Sequence, residues 1–218
     1  MRVVIAGGHG KIAKLLEREL AGRGDTALGL IRNPDHAAAL RAAGAEPVVC
    51  DLEHTDVDTL AAHLAGADAV VFAAGAGPGS GAARKDTVDR GAAVLLADAA
   101  AQAGVRRYLL VSSMGVDDAP ADGTDDVWAA YLRAKKAAED DVTGRDLDVT
   151  VLRPGRLTDD EPEGRITLAR HVTGGAISRA DVARVLLALL YAPGTAGHTL
   201  ELVSGDTPIA EAITAVTT

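Results

Sequence analysis

Aromatic side chains are scarce in this chain: one Phe, one Trp and three Tyr, 2% of 218 residues. The core must therefore be packed from Val, Leu, Ile and Ala, and the stacking platforms that hold single-stranded nucleic acid are wanting. Positive charge is in the minority as well. Twenty-two Lys and Arg face 31 Asp and Glu, a net charge of −9, which repels phosphate backbones and argues against a nucleic-acid partner. Cysteine occurs once, as Cys50, so no intrachain disulfide forms and a reduced, cytoplasmic setting fits. No secretory leader is visible, since the first apolar run begins at Arg2 and lacks a small-residue exit. The longest apolar run, Val182 to Tyr191, is broken by Arg184 and is too short to span a bilayer, so no membrane is expected. The six histidines show no paired ligand spacing and one Cys makes no zinc cluster, so no metal is expected. The glycine-rich stretch Gly75 to Gly81 lacks the G-x-S-x-G spacing of a hydrolase elbow and reads as a loop.

What is present is a regular alternation. Continuous β-branched runs predict buried strands at Arg2–Ala6, Thr26–Ile31, Glu46–Cys50, Asp68–Ala74, Arg106–Ser113, Asp148–Arg153 and His198–Val203. Helical spacing or helix-start signals fill the intervals: Lys11–Ala21, Pro34–Ala43, Val57–Leu64, a helix ending near Ala103, Asp126–Val142 and Arg179–Tyr191. Strands that alternate with helices and are apolar throughout predict an α/β fold: a doubly wound parallel sheet of about seven strands with helices on both faces. The length fits one domain, residues 1–218, with a small substrate region around 154–178.

Three glycines, Gly7, Gly8 and Gly10, stand between the first strand and the first helix, although glycine weakens both kinds of element. The run reads as Gly8-x-Gly10-x-x-Ala13 or as Gly7-x-x-Gly10-x-x-Ala13, and the physics is similar either way. A glycine at the turn permits positive φ, Gly10 lets a pyrophosphate approach the backbone, and Ala13 lets the helix lie close to its strand. The free N–H groups of the helix start then bind phosphate. Strand before, helix after and a βαβ context together make this a dinucleotide-binding expectation.

The choice of nucleotide turns on the end of the second strand. An NAD site usually places Asp or Glu there; here Leu30-Ile31 is followed by Arg32. A cation just before a helix start is disfavoured by the helix dipole, and a 2′-phosphate would offset that through a charge-assisted contact. NADP(H) is therefore expected ahead of NAD(H). Asp51, after the third strand, fits equally an acceptor for the adenine amino group and a plain turn acid.

VVIAGGHGKIA, LIRNP, VVCDLE, VVFAAGAG, YLLVSSMGV, YLRAK and VLRPGRLTDD follow one another along nearly the whole chain. In this order they resemble an atypical, compact member of the short-chain dehydrogenase/reductase superfamily. The resemblance implies a cofactor laid across the strand ends. Gly7, His9, Gly10, Lys11 and Ile12 would hold it from the first loop, with Arg32, Asp51 and Leu52 at its adenosine end. Ala73-Ala74-Gly75 would pass beside it, Lys135 would hold its ribose, and Pro154-Gly155 would lie near the nicotinamide. Two departures stand out: His9 occupies a place where many relatives carry Thr, and Asp89 replaces the usual Asn of the catalytic helix region.

Ser113, Tyr131 and Lys135 are the candidate catalytic set. Tyr131 and Lys135 are four apart, on one helical face. Hydride transfer to a carbonyl needs a proton for the developing alkoxide, and a tyrosine hydroxyl, unperturbed near pKa 10, can give it. The Lys135 ammonium is expected to lower that value. Ser113 would hydrogen-bond the substrate oxygen, with Ser112 as the alternative, since strand alternation directs only one of the two to the site. The sequence thus points to an NADP(H)-dependent reductase of a small carbonyl or quinone-like compound. A non-enzymatic NADP(H) sensor with a protein partner and a small epimerase are the competing readings. Ser178-Arg179-Ala180-Asp181 reads as a capped helix start, and Asp117–Asp126 as a solvated connection or a lid.

Overall fold

A computed structural model describes residues 1–77, 79–118 and 125–217. Its strands are β1 (Arg2–Ala6), β2 (Thr26–Ile31), β3 (Glu46–Val49), β4 (Ala69–Phe72), β5 (Arg107–Val111), β6 (Asp148–Pro154), β7 (Arg156–Thr158), β8 (Arg165–Ala169), β9 (Ala176–Ser178), β10 (His198–Ser204) and β11 (Thr207–Pro208). The helices are α1 (Lys11–Gly22), α2 (Ala37–Ala42), α3 (Val57–Leu64), α4 (Ala82–Arg84), α5 (Ala92–Ala103), α6 (Asp126–Thr143), α7 (Arg179–Leu190) and α8 (Ile209–Thr217), with a π-helical stretch over Lys85–Gly91.

One sheet dominates, in the order β11-β8-β10-β6-β5-β4-β1-β2-β3. The seven strands from β3 to β10 run parallel. They are the seven that the apolar runs announce, because strands covered on both faces carry uninterrupted Val, Leu and Ile. The sheet nevertheless has nine strands. β8 lies antiparallel to β10, and β11 antiparallel to β8. Both were missed because β8 alternates exposed and buried residues, the signature of a one-sided edge, and β11 is only two residues long. The segment 154–178, expected as a substrate region, forms β7, β8 and β9, and β7 pairs with β9 in a separate small sheet. The terminal helix α8 was also missed.

The helices form two layers. Leu16 and Leu20 of α1, Leu186 and Leu189 of α7, and Ile213 of α8 pack on one face with Val3 and Ile5. Leu60 and Leu64 of α3, Leu96 of α5 and Val142 of α6 pack on the other with Val4 and Phe72. From β1 the chain builds outward through β2 to β3, then returns to place β4 on the opposite side of β1. Between β1 and β4 the strand order reverses, and a crevice at that point, beyond the carboxyl ends of the strands, is where doubly wound sheets bind ligands.

Candidate cofactor and active site

The loops that leave β1 and β4 meet in this crevice. Gly7 has φ +83°, and a Cβ there would lie 2.6 Å from Ala74 Cα; only glycine lets the two loops touch. Gly8 donates to Leu30 O at 3.0 Å, and a Cβ on it would lie 2.7 Å from Gly29 Cα. The glycine loop is thus pressed against both neighbouring strands. Gly10 begins α1 without a side-chain cap, and the first turn carries no acid. Its leading N–H donors are left for a ligand, and with the dipole they favour an anion.

Beneath this loop lies Glu17, a residue that the sequence reading passed over as part of an amphipathic helix. Its side chain is fully buried between Gly8 and Gly29, and neither carboxyl oxygen has a hydrogen-bond partner. Burial pushes its pKa up to about 7, against the pull of Lys14 and Arg18.

Two clefts open on either side of the segment 73–77, which lines both. The first, about 450 Å³, is lined by Gly7, His9, Gly10, Arg32, Asp51 and Leu52 among others. His9 stacks on His36 with ring centroids 3.6 Å apart, and burial, followed by the charge of His36, lowers its pKa. Asp51 accepts from Glu53 N at 3.1 Å and contacts His54 Nδ1 at 3.0 Å, so it is a turn acid that also borders the cleft. Arg32 departs from expectation. It has an acidic partner from a different strand end: its Nη1 lies 3.2 Å from Glu53 Oε2. Glu53 also accepts from Arg84 Nη2 at 2.5 Å and from Thr87 Oγ1 at 2.9 Å, and the Arg84 contact leads in holding its carboxyl below the usual range. Two guanidinium groups and one carboxylate therefore share this end of the cleft. Lys11 is a second departure, because it lines neither cleft and its ammonium turns to Asp159 at 2.5 Å.

The second cleft, about 600 Å³, gathers Ile12, Ser112, Ser113, Tyr131, Lys135, Pro154 and Gly155. Tyr131 and Lys135 share a face of α6, with the Lys135 ammonium 5.8 Å from the Tyr131 ring centroid. The Ser113 hydroxyl donates to Met114 O at 3.1 Å and lies close enough to Tyr131 to pull its pKa down, more weakly than burial pushes it up. Ser112 lines the same cleft with a buried Oγ that has no partner among the described residues. Both serines lie beyond Val111, the last paired residue of β5, so strand alternation does not separate them.

Lys135 behaves differently from the sequence expectation. It is 4% exposed, donates to Val111 O at 3.1 Å and sits 3.4 Å from Asp89 Oδ1. Asp89, itself buried, accepts from Ala76 N at 3.1 Å and so ties the β4 loop to the same pair. Burial lowers the Lys135 pKa. The Tyr131 pKa is not lowered but pushed up to about 12, by burial and then by the negative charge of Asp89. Sequence spacing places the Lys beside the Tyr but cannot show a carboxylate, 46 residues earlier in the chain, cancelling its charge.

Ser178 caps α7 as expected, accepting from Asp181 N at 3.0 Å. Arg153 is held by Glu139 at 2.5 Å and pairs with Asp117. Of the acidic connection 117–126, residues 119–124 lie outside the described residues. Among the described residues no cluster of His, Cys, Asp or Glu is arranged to hold a metal, and no helix is long and apolar enough to cross a membrane.

Comparison with known proteins agrees with this geometry. The NAD(P)H-binding family model matches residues 7–193. The chain is 33% identical over 214 residues to an uncharacterised sugar epimerase, YhfK, of Bacillus subtilis, covering 98% of this chain and 99% of that protein. Among solved structures, a Bacillus halodurans protein provisionally assigned as an NAD-dependent epimerase/dehydratase superposes with a TM-score of 0.91 at 37% identity, covering 99% of both chains. The oxidoreductase ylbE of Lactococcus lactis superposes with a TM-score of 0.87 at 26% identity, covering 99% of this chain and 96% of that one.

Proposed function

The chain belongs to the NAD(P)H-binding family, and from that premise we propose that it is an NADP(H)-dependent reductase of a small carbonyl or quinone-like compound. The observation that carries the reading is Tyr131, a hydroxyl that lines the second cleft together with Ser113 and Lys135 and is pushed up to about pKa 12. A phenol held protonated is an acid, suited to reduction, where the developing alkoxide needs a proton. The oxidoreductase description of the Lactococcus lactis relative supports the same chemistry.

The residues present fit the cofactor. The uncapped start of α1 would hold its pyrophosphate, the first cleft would take its adenosine half with Arg32 for a 2′-phosphate, and the segment 73–77 leads into the second cleft. When bound, NADPH supplies a hydride to the carbonyl carbon. The chain does the rest. Ser113 and Tyr131 orient the carbonyl oxygen, and the Tyr131 hydroxyl gives its proton to that oxygen as the carbon is reduced. Asp89 holds Lys135 and the Ala76 backbone in place behind the phenol. Leu157 of β7 lines the second cleft, and a short region of this kind suits a compact substrate.

A second reading has its own support. Glu53, 3.2 Å from Arg32, partly neutralises the cation that would read a 2′-phosphate, which favours NAD(H) in the same cleft.

The test is turnover of aldehydes, ketones and quinones followed by NADPH absorbance, with cofactor binding measured separately. Tyr131→Phe should lower turnover by about 10²–10⁴, the share of a general acid, and leave NADPH affinity within a few-fold. Unchanged turnover refutes the proton-donor role. Tight NADPH binding with no turnover of any compound favours the sensor reading instead.

A further inference from the structure

The outer end of the second cleft would lie beyond a cofactor held by the glycine loop. Its inner wall, at Ile12 and Pro154-Gly155, continues the groove from the first cleft, whereas its outer end is made by the start of α6 and the π-helical stretch. Trp128 stands there, 50% exposed, in a chain with only one tryptophan. One indole face is stacked on Tyr131, with ring centroids 5.0 Å apart at 26°. The stack leaves much of the indole open beside Tyr131, a flat apolar platform of the kind that takes an aromatic ligand. Val127 beside it is also exposed.

Lys85 lines the same cleft as Trp128, and both lie against the Tyr131 ring. The Lys85 ammonium is 5.5 Å from the Tyr131 ring centroid and donates to Gly77 O at 3.1 Å, which among the described residues leaves donor capacity for a ligand. The other cations of the cleft are matched by carboxylates: Lys135 by Asp89 at 3.4 Å, and Arg179 by Asp159 at 2.7 Å. Asp125, the remaining lining carboxylate, is turned back to accept from Val127 N and Trp128 N at 3.0 Å each. Among the described residues Lys85 makes no ion pair. A chain of net charge −9 thus keeps, among the described residues, a cation without an ion pair in the cleft that its single indole also lines.

We infer that this outer end is a binding site for flat apolar compounds carrying a carboxylate, with the ring system on Trp128 and the carboxylate on Lys85. The inference rests on the reductase reading and narrows its substrate class to carboxylate-bearing conjugated carbonyl compounds. Binding at this place is separable from catalysis, because neither Trp128 nor Lys85 supplies the proton.

The experiment is calorimetric titration with 2-naphthoate and its neutral amide, 2-naphthamide, in the presence and absence of NADPH, at low and high salt. Wild type should bind the carboxylate about tenfold more tightly than the amide, and the preference should shrink with salt. Lys85→Gln should reduce the carboxylate to the affinity of the amide and leave the amide unchanged, while Lys136→Gln, on the exposed side of α6, should change neither. Trp128→Ala should weaken both ligands alike. Equal affinities in wild type, no binding of either compound at millimolar concentration, or a preference that survives Lys85→Gln would each overturn the inference. NADPH titration of the same samples separates the two readings. A chain that binds NADPH and reduces 2-naphthaldehyde as well as its 6-carboxy derivative refutes the anion site and leaves the reductase standing. A carboxylate preference without NADPH binding supports the site and refutes the reductase.

Discussion

Glu17 should make this protein lose stability as pH rises through the physiological range. The carboxyl lies beneath the glycine loop with no hydrogen-bond partner for either oxygen, and burial raises its pKa from 4.5 to about 7. The unfolded chain releases this proton near pH 4.5, whereas the folded chain keeps it until about pH 7. Between those values the folded state binds more protons than the unfolded state, so stability falls with rising pH and levels off above pH 7. At about 1.4 kcal/mol per unit, the shift is worth about 3.5 kcal/mol in full, of which about 2.5 kcal/mol is lost between pH 5 and 8. That is a sizeable part of an ordinary domain's stability of about 5–15 kcal/mol. The assay is urea unfolding of wild type and Glu17→Gln at pH 5, 6, 7 and 8. The glutamine carries its own buried-amide penalty, but that penalty does not vary with pH, so the difference between the two proteins isolates the carboxyl. Wild type should lose ground against the variant steadily from pH 5 to 7. A difference constant to within about 0.5 kcal/mol across the series would refute the reasoning and show that Glu17 finds a partner or solvent in the folded protein.

Two further outcomes test the cofactor groove. Gly10→Val should abolish NADPH binding, because a side chain there projects into the phosphate volume and already meets Gly7 O at 3.0 Å from its Cβ; circular dichroism should show the fold retained, and unchanged affinity in a titration would remove the phosphate assignment. Arg32→Ala should weaken NADPH by about tenfold to a hundredfold and NADH much less, read from parallel titrations; equal weakening of both would favour the reading in which Glu53 makes this an NAD(H) site.

The parallel core was legible because burial on both faces leaves its mark in every strand: Val3-Val4-Ile5 and Ala69-Val70-Val71-Phe72 admit no polar residue. The glycine loop was legible because its spacing is local, with Gly7 at positive φ and Gly10 against Gly7 O, although the contact that also demands glycine at position 7, Ala74, comes from the distant β4 loop. The spacing of Tyr131 and Lys135 was legible for the same reason, within one turn of α6. What escaped the sequence depends on pairing across the fold. Glu53 reaches Arg32 and Arg84 from the end of β3, and Asp89 reaches Lys135 from the π-helical stretch. Each adds a charge that one segment alone could not show. Glu17 escaped for a different reason: a lone carboxylate on an amphipathic helix is ordinarily at the surface, and only the facing pair Gly8 and Gly29 makes room for it inside.

The two ends of the large sheet carry a consequence for how copies of this chain behave when crowded. An open strand end is a template on which another molecule's strand can add, and long, flat, apolar edges are the starting points of aggregates. Here the terminal strands are β3, four residues, and β11, two residues. Each contains a proline, Pro47 and Pro208, which has no N–H to offer a ladder. Glu46 adds a charge to the first. A sheet whose interior is rich in Val and Leu is thereby bounded on both sides by strands too short and too donor-poor to recruit a stranger, so Pro47→Val and Pro208→Val are the substitutions by which a well-folded chain would become prone to fibres.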